Sequence, residues 1–363
     1  MKIVMLTNEF APSIGGVQTH VLELSRALVK AGHEVHVVTR FKNKQLPARE
    51  KLDGIEVHRI ALAKNHWLYD WQMRRYLRRL HNLGGVDVVH VHGMRPLAAA
   101  GSLGVRVVFT NHTSGFLKRM EAGADVRTKM AGQMSVADCV LAPSEELAQR
   151  TRDTGYSGPV RFVANGVDTK KFFPGESPWR AKLNIPADAF VLVMARRLVA
   201  KNGVLYLAEA LQHITATGVH IVVAGDGAER GEFERIAAGA AAGVKVHMLG
   251  GVDNTQMPDV FRAGNAAVLP SLMEATSIAG LEAMACGNAL IGTRVGGIPV
   301  IIDDQTTGLL VPPRDPKALA SAIDRLAGDL KFAHMLGRAS VAKVEREFSW
   351  TRIAELTAEA YAN

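Results

Sequence analysis

Short, unbroken apolar runs alternate along this chain with longer stretches in which apolar residues return every three or four positions. In the first half the short runs lie at residues 2–7, 34–39, 55–60, 86–90, 105–110, 139–143 and 160–163. Several are nearly pure Val, Ile or Leu, the pattern of parallel strands covered on both faces. Between them lie helical patterns such as 17–31, which ends at Gly32, a residue suited to closing a helix. A second series begins after the Pro- and Gly-containing stretch 172–178. Its strands are predicted at 190–194, 220–224, 245–249, 266–269 and 289–293, with helices near 203–215, 277–285, 316–326 and 331–347. Strands alternating with helices predict βαβ units and a parallel sheet. Two such series predict an α/β chain of two doubly wound, Rossmann-like domains facing a cleft. Ligands are then expected outside the carboxyl ends of the strands.

The length of 363 residues suits two such domains better than one. Apolar residues make up 48% and charged residues 21%, which excludes a disordered or low-complexity chain. The first apolar run is one strand long and is followed by Glu9, so a signal peptide is not expected. No uncharged apolar stretch approaches the ~18 residues of a membrane span. Cys139 and Cys286 stand far apart in apolar segments and read as buried free thiols of a reducing compartment. The expected location is the cytoplasm. The net charge of +8 is uneven: residues 1–170 hold 24 Lys+Arg against 15 Asp+Glu, and the remainder 19 against 20. The N-terminal half is therefore expected to meet something anionic, the plainer alternative being solubility alone.

The richest chemistry lies in 270–287. A strand ends at Leu269, a loop carries Glu274, and a helix starts near Ser277 with Glu282 in its first two turns. Free N–H groups at such a helix start suit a phosphate. The plainer alternative is an ordinary strand–loop–helix unit in which Thr276 or Ser277 only caps the helix. On one helix the two glutamates would stand ~12 Å apart, beyond the roughly 5–9.5 Å of glycosidase carboxylates. Gly225-Asp226-Gly227 and Gly15-Gly16 lack the spacing of a dinucleotide fingerprint, so an NAD enzyme is disfavoured. His90 and His92 share one face of their strand, but without a nearby Cys or third His they make a poor metal site. In 67–80, Arg74, Arg75, Arg78 and Arg79 share a broad helical face beside Trp67 and Trp71. That composition suits an anionic bilayer surface; the alternative is a helix packed by Trp71 and Leu77 with solvated arginines. No nucleic-acid-binding motif is present.

Glu274 and Glu282 with seven residues between them, followed by Ala283-Met284-Ala285-Cys286-Gly287, resemble the E-x7-E signature of the retaining glycosyltransferases of family 4, whose fold is GT-B. The resemblance spans essentially the whole chain. Gly15-Gly16-Val17 resembles the family's glycine loop, Asp87 to His92 its fourth strand, and Asn111-His112 the end of the next. Asn165-Gly166-Val167-Asp168 is similar to its interdomain junction, and Arg197-Leu198-Val199 and Gly225 to Arg230 to motifs of its C-terminal domain. Gly296-Gly297-Ile298-Pro299 and Thr307-Gly308-Leu309-Leu310-Val311 complete the ordered set.

The resemblance implies an N-terminal acceptor-side domain at 1–170, a nucleotide-sugar-binding domain at 171–347, and a final segment 348–363 crossing back to the first. It implies that Glu282 binds the donor ribose and Glu274 the donor sugar. The N–H groups of Ser277, Ile278 and Ala279 would hold the distal phosphate. Arg197 and Lys201 would neutralise the diphosphate, Gly15 and Gly16 admit close backbone approach, and His112 stands against the transferred sugar. No metal or other cofactor is expected, because cations and helix N–H groups serve the leaving diphosphate. The chain departs from the family at three places: Thr276-Ser277 stand where a Phe-Gly pair is usual, Asn202 where the Arg-x4-Lys pattern has lysine, and Val300 where glutamate is common. The implied activity is metal-independent, retaining transfer of a hexosyl-type sugar from a UDP- or GDP-sugar. The expected setting is lipid-linked glycan, glycolipid or cell-surface polysaccharide synthesis, with peripheral attachment to the inner face of the plasma membrane. The alternatives are a GT-B nucleotide-sugar epimerase and a non-catalytic nucleotide-sugar-binding subunit.

Overall fold

The computed structural model describes residues 1–13, 15–41, 45–112 and 114–362. The chain divides into two compact units. One runs from Met1 to Gly166 and takes up the last helix, Trp350–Ala362; the other is Val167–Ser349. The sequence puts the junction at 170 and the return at 348; the structure puts them at 166 and 350.

The strands of the first unit are β1 (Lys2–Leu6), β2 (Glu34–Arg40), β3 (Arg49–Leu52), β4 (Ile55–Ile60), β5 (Val88–Val91), β6 (Arg106–Thr110), β7 (Cys139–Ala142) and β8 (Val160–Phe162). They form one sheet in the order β3-β4-β2-β1-β5-β6-β7-β8. All neighbours are parallel except β3, which runs antiparallel to β4 at the edge. The hydrophobic pattern gives no sign of β3, because its Arg-Glu-Lys-Leu sequence faces solvent. In β1, Ile3, Val4, Met5 and Leu6 are fully buried, as the both-faces-covered reading requires. β1 pairs with β2 on one side and β5 on the other, so the winding reverses there. Such a switch point opens a crevice at the carboxyl ends of the strands.

The helix Gly16–Lys30 lays His20, Val21, Leu24 and Leu28 on the sheet side. The last helix packs against it, with Trp350 edge-on to His20 at 5.4 Å between ring centres. A Cβ on Gly166 would meet the Trp350 ring at 2.7 Å, so glycine lets the chain leave the unit beneath that ring. The helix His66–Asn82 is capped by Asn65, whose Oδ1 accepts from the Trp67 N–H at 2.9 Å. It packs through Tyr69, Met73, Leu77 and Leu80. Of the alternative in which Trp71 and Leu77 pack this helix, Leu77 is buried but Trp71 is not: Trp71 is 49% exposed and Trp67 75%. The packing stripe runs 69-73-77-80, and Trp71 lies off it.

The second unit carries β9 (Phe190–Ala195), β10 (Val219–Ala224), β11 (Val244–Gly250), β12 (Ala266–Leu269), β13 (Ala289–Thr293) and β14 (Gly308–Val311). They form a parallel sheet in the order β11-β10-β9-β12-β13-β14. Alternate residues of β9, Phe190, Leu192 and Met194, join a core with Ile221, Val223, Val268 and Ile291. Val191 and Val193 on the other face are buried as well. The winding reverses between β9 and β12, which places the loops after these strands at a second switch point. Cys139 and Cys286 are buried free thiols. No helix among the described residues is long and apolar enough to cross a membrane.

Candidate active site

In the second unit the loop after β12 runs into the helix Ile278–Ala285, capped by Ser277, whose Oγ accepts from the Gly280 N–H at 3.2 Å. A Cβ on Gly280 would meet Leu269 Cδ1 at 2.7 Å, so glycine lets this helix lie close on β12. The first-turn N–H groups at Ser277, Ile278 and Ala279 have no acceptor within the helix. Two backbone ties fix the loop: the Gly297 N–H donates to the Glu274 carbonyl at 3.1 Å, and Thr293 Oγ1 donates to the Ser271 carbonyl at 2.6 Å. Glu282 lies one helical step inside, half-buried.

The loop after β9 meets this segment. Arg196 Nη2 pairs with Glu274 Oε2 and donates to Asn202 Oδ1 at 2.8 Å and Ser271 Oγ at 3.1 Å. Its Nη1 donates to Ser277 Oγ at 3.2 Å. Asn202 Nδ2 in turn donates to the Arg197 carbonyl at 2.7 Å. The Lys201 carbonyl accepts from the Leu272 N–H at 2.9 Å. Arg197 and Lys201 have exposed side chains, and neither forms an ion pair among the described residues. A Cβ on Gly225 would meet the Arg196 carbonyl at 1.9 Å, and one on Gly227 the Leu198 carbonyl at 2.3 Å. The Gly-Asp-Gly motif thus admits the backbone carrying Arg196 and Arg197.

In the first unit the carboxyl ends of β1, β5 and β6 border a cavity of about 430 Å³. Thr7, Asn8 and Glu9 follow β1, His92 and Arg95 follow β5, and Phe116 and Arg119 follow β6. Gln18, on the helix beginning at Gly16, donates to Glu9 Oε2 at 2.9 Å. Asn8 Oδ1 and Arg95 Nε are buried without a hydrogen-bond partner. Gly15 and Gly16 open the same helix; a Cβ on Gly16 would meet nothing within 4 Å among the described residues.

His112 lies just beyond β6 and stacks on His92, with His92 Nδ1 and His112 Nε2 sharing a hydrogen bond at 2.9 Å. His20 stands edge-on to His112 at 4.6 Å between ring centres and is tied to Asn165 Oδ1 at 2.9 Å. His90 bonds the Tyr361 hydroxyl at 2.7 Å and Thr110 Oγ1 at 2.6 Å. Burial lowers His20 from 6.5 to about 4, outweighing its Asn165 hydrogen bond, and His90 to about 3. Burial, and then the neighbouring imidazoles, hold His92 and His112 well below 6.5. All four rings are neutral near pH 7.

The expectation that His92 lacks a third histidine is corrected. Ring nitrogens of His20, His92 and His112 lie within 4.8 Å of one another, because the helix and β6 bring two distant histidines to the end of β5. His92 Nδ1 and His112 Nε2 already share a hydrogen bond, which a metal ion bound to either of those nitrogens would have to displace.

Two family models match the chain: Glycosyltransferase Family 4 over residues 14–171 and Glycosyl transferases group 1 over residues 176–342. The chain belongs to the family-4 glycosyltransferases. It is 26% identical to an uncharacterized glycosyltransferase of Methanocaldococcus jannaschii, covering 99% of this chain and 98% of that protein. It is 26% identical to the phosphatidylinositol N-acetylglucosaminyltransferase gpi3 subunit of Schizosaccharomyces pombe, covering 98% and 79%. It is 29% identical to the D-inositol 3-phosphate glycosyltransferase of Frankia alni, covering 96% and 94%. Among solved structures, sucrose-phosphate synthase from Thermosynechococcus elongatus superposes with a TM-score of 0.83 at 25% identity, covering 99% and 98%. Anabaena HepE in complex with UDP and glucose superposes at 0.79 and 18% identity, covering 100% and 99%. The fold is GT-B.

Within this glycosyltransferase the structure brings Glu274, Ser277, Ile278, Ala279 and the backbone of Arg197 and Lys201 into one loop cluster of the second unit. The side chains of Arg197 and Lys201 are not drawn to Glu274; Arg196 is. Gly15, Gly16 and His112 stand at the strand ends of the first unit. Sequence reasoning missed Arg196, His20, Glu9, Gln18 and Arg95. An Arg-Arg pair after a strand was the available signal for the first; nothing local marks the others.

Proposed function

We propose that this glycosyltransferase moves a sugar from a nucleotide-diphosphate sugar to an acceptor hydroxyl with retention of anomeric configuration and without a metal ion. The observation that carries the reading is the Glu274–Ser277 loop. It sets a carboxylate beside a helix start, at the carboxyl ends of β9 and β12. With Oε2 held by Arg196, Glu274 Oε1 is the oxygen that accepts from sugar hydroxyls. Glu282, one helical step away, takes the ribose hydroxyls. The N–H groups of Ser277, Ile278 and Ala279, with Arg197 and Lys201, take the diphosphate, where negative charge grows as the sugar leaves. Neutral His112 offers the sugar a hydrogen bond without adding charge. Among the described residues no atom lies within 4 Å of a Cβ added at Gly16, which supports its role as a point of close backbone approach. The Glu274 carboxylate is paired with Arg196, which favours, over its own covalent attack, a same-face displacement in which the departing phosphate takes the acceptor proton.

The acceptor belongs to the first unit. The Schizosaccharomyces and Frankia relatives are named for acceptors that carry a phosphate. The excess of basic residues in 1–170 and the arginines 95 and 119 at the cavity suit the same chemistry. Trp67 and Trp71 are exposed beside Arg74, Arg75, Arg78 and Arg79, which supports a lipid-linked acceptor met at an anionic membrane face. HepE, solved with UDP and with UDP-glucose, favours UDP as the first donor base to test.

The test is donor consumption by purified protein across UDP-, GDP- and ADP-sugars, with and without lipid-phosphate acceptors, and the product anomer read by NMR. Acceptor-dependent consumption with the donor configuration kept supports the reading. Isomerisation of the donor without acceptor shows an epimerase, and binding without turnover shows a non-catalytic role.

A further inference from the structure

We propose that Arg196 is the positioning residue of the donor-sugar site, with Asn202 as its partner at the position where the family pattern has lysine. This deepens the transferase reading and rests on it. Arg196 and Glu274 are both nearly buried, at 11% and 17% side-chain exposure. The Arg196 guanidinium binds one residue of its own loop, Asn202, and three of the loop after β12, Ser271, Glu274 and Ser277. It therefore ties the carboxylate for the sugar and the cap of the phosphate-facing helix to a single planar group. Its Nε is buried with no partner, so its hydrogen bonds are concentrated on the Nη side that faces the site.

Asn202 explains why the lysine is missing. Its Oδ1 accepts from Arg196 at 2.8 Å and its Nδ2 donates to the Arg197 carbonyl at 2.7 Å. A lysine there would press an ammonium against the guanidinium and has no acceptor to offer it. Positions 196 and 202 are thus a coupled pair in which one cation fits and two conflict. The neighbouring Arg197 is exposed and makes none of these bonds.

The experiment compares wild type, Arg196→Ala, Asn202→Lys and the double variant for UDP-sugar and GDP-sugar consumption, for UDP and GDP affinity, and for Tm. Arg196→Ala is expected to lower kcat on the order of 10²-fold, the scale of an ångström-sized misplacement, while the affinity for the sugar-free nucleotide stays within about twofold. Asn202→Lys alone lowers kcat. The double variant recovers at least about tenfold over Arg196→Ala, because the cation is returned from the other side. A structural tie alone would move Tm in all three without this recovery. If Arg196→Ala does not fold, Arg196→Lys and Arg196→Gln carry the test, with Lys more active than Gln. Wild-type kcat in Arg196→Ala, no recovery in the double variant, or an equal loss of nucleotide affinity overturns the proposal. A wild type that consumes no nucleotide sugar overturns the transferase reading itself, a result separable from any of these.

Discussion

Lowering the pH should unfold the first unit through its buried histidines. The folded chain holds His20 at about 4 and His90 at about 3, against 6.5 for a free imidazole. Burial is the cause in both, so the folded state refuses a proton that the unfolded chain accepts. A histidine lowered in the fold contributes stability that is fully present above pH 6.5. That stability is lost as pH falls through 6.5 towards the folded value. From pH 7 to pH 5 each unfolded imidazole gains about 0.7 of a proton and each folded one about 0.1 or less, which removes about 2 kcal/mol per residue. His92 and His112 act in the same direction. The assay is urea unfolding of the full chain at both pH values, with hydrogen exchange of peptides from β5, β6 and the last helix to show which unit opens. His90→Gln should be less stable at pH 7, since Tyr361 and Thr110 lose a buried partner. It should lose about 2 kcal/mol less than wild type on acidification. Equal losses in wild type and variant would refute the argument.

Glu282→Ala should weaken donor binding while Glu274→Ala mainly lowers kcat, because the ribose does not change in the reaction and the sugar does; small, equal effects on both parameters in both variants would contradict these roles. Activity should persist in excess EDTA, and loss restored by Mg²⁺ or Mn²⁺ would show that the metal-free reading is wrong. Wild type should bind anionic liposomes in a salt-sensitive way, at about 1 kcal/mol per basic side chain near the surface. Changing Arg74, Arg75, Arg78 and Arg79 together to Glu should abolish that binding and leave nucleotide affinity intact; indifference of wild type to anionic liposomes at low salt points to a soluble acceptor.

The sequence by itself determined the local period. Unbroken Val/Ile runs made β1, β2, β5, β9 and β10 legible, since a strand buried on both faces has no polar side to hide the signal. The spacing of Glu274 and Glu282 and the order of the glycine motifs carried the family. The edge strand β3 was not legible, because one paired side and a polar sequence leave no apolar run. The environment of His112 was decided only by tertiary structure. His20 comes from a helix, His92 from the end of β5 and His112 from the end of β6, and the parallel order β1-β5-β6 gathers them at one switch point. The choice between Arg196 and Arg197 was decided there too. Adjacent arginines are equivalent in composition and nearly so in motif, and only the approach of the Ser271–Ser277 loop selects the one that faces inward. Periodicity and spacing are properties of one segment and survive in the sequence, whereas a burial-lowered imidazole or a shared guanidinium needs partners that the chain supplies from tens of residues away.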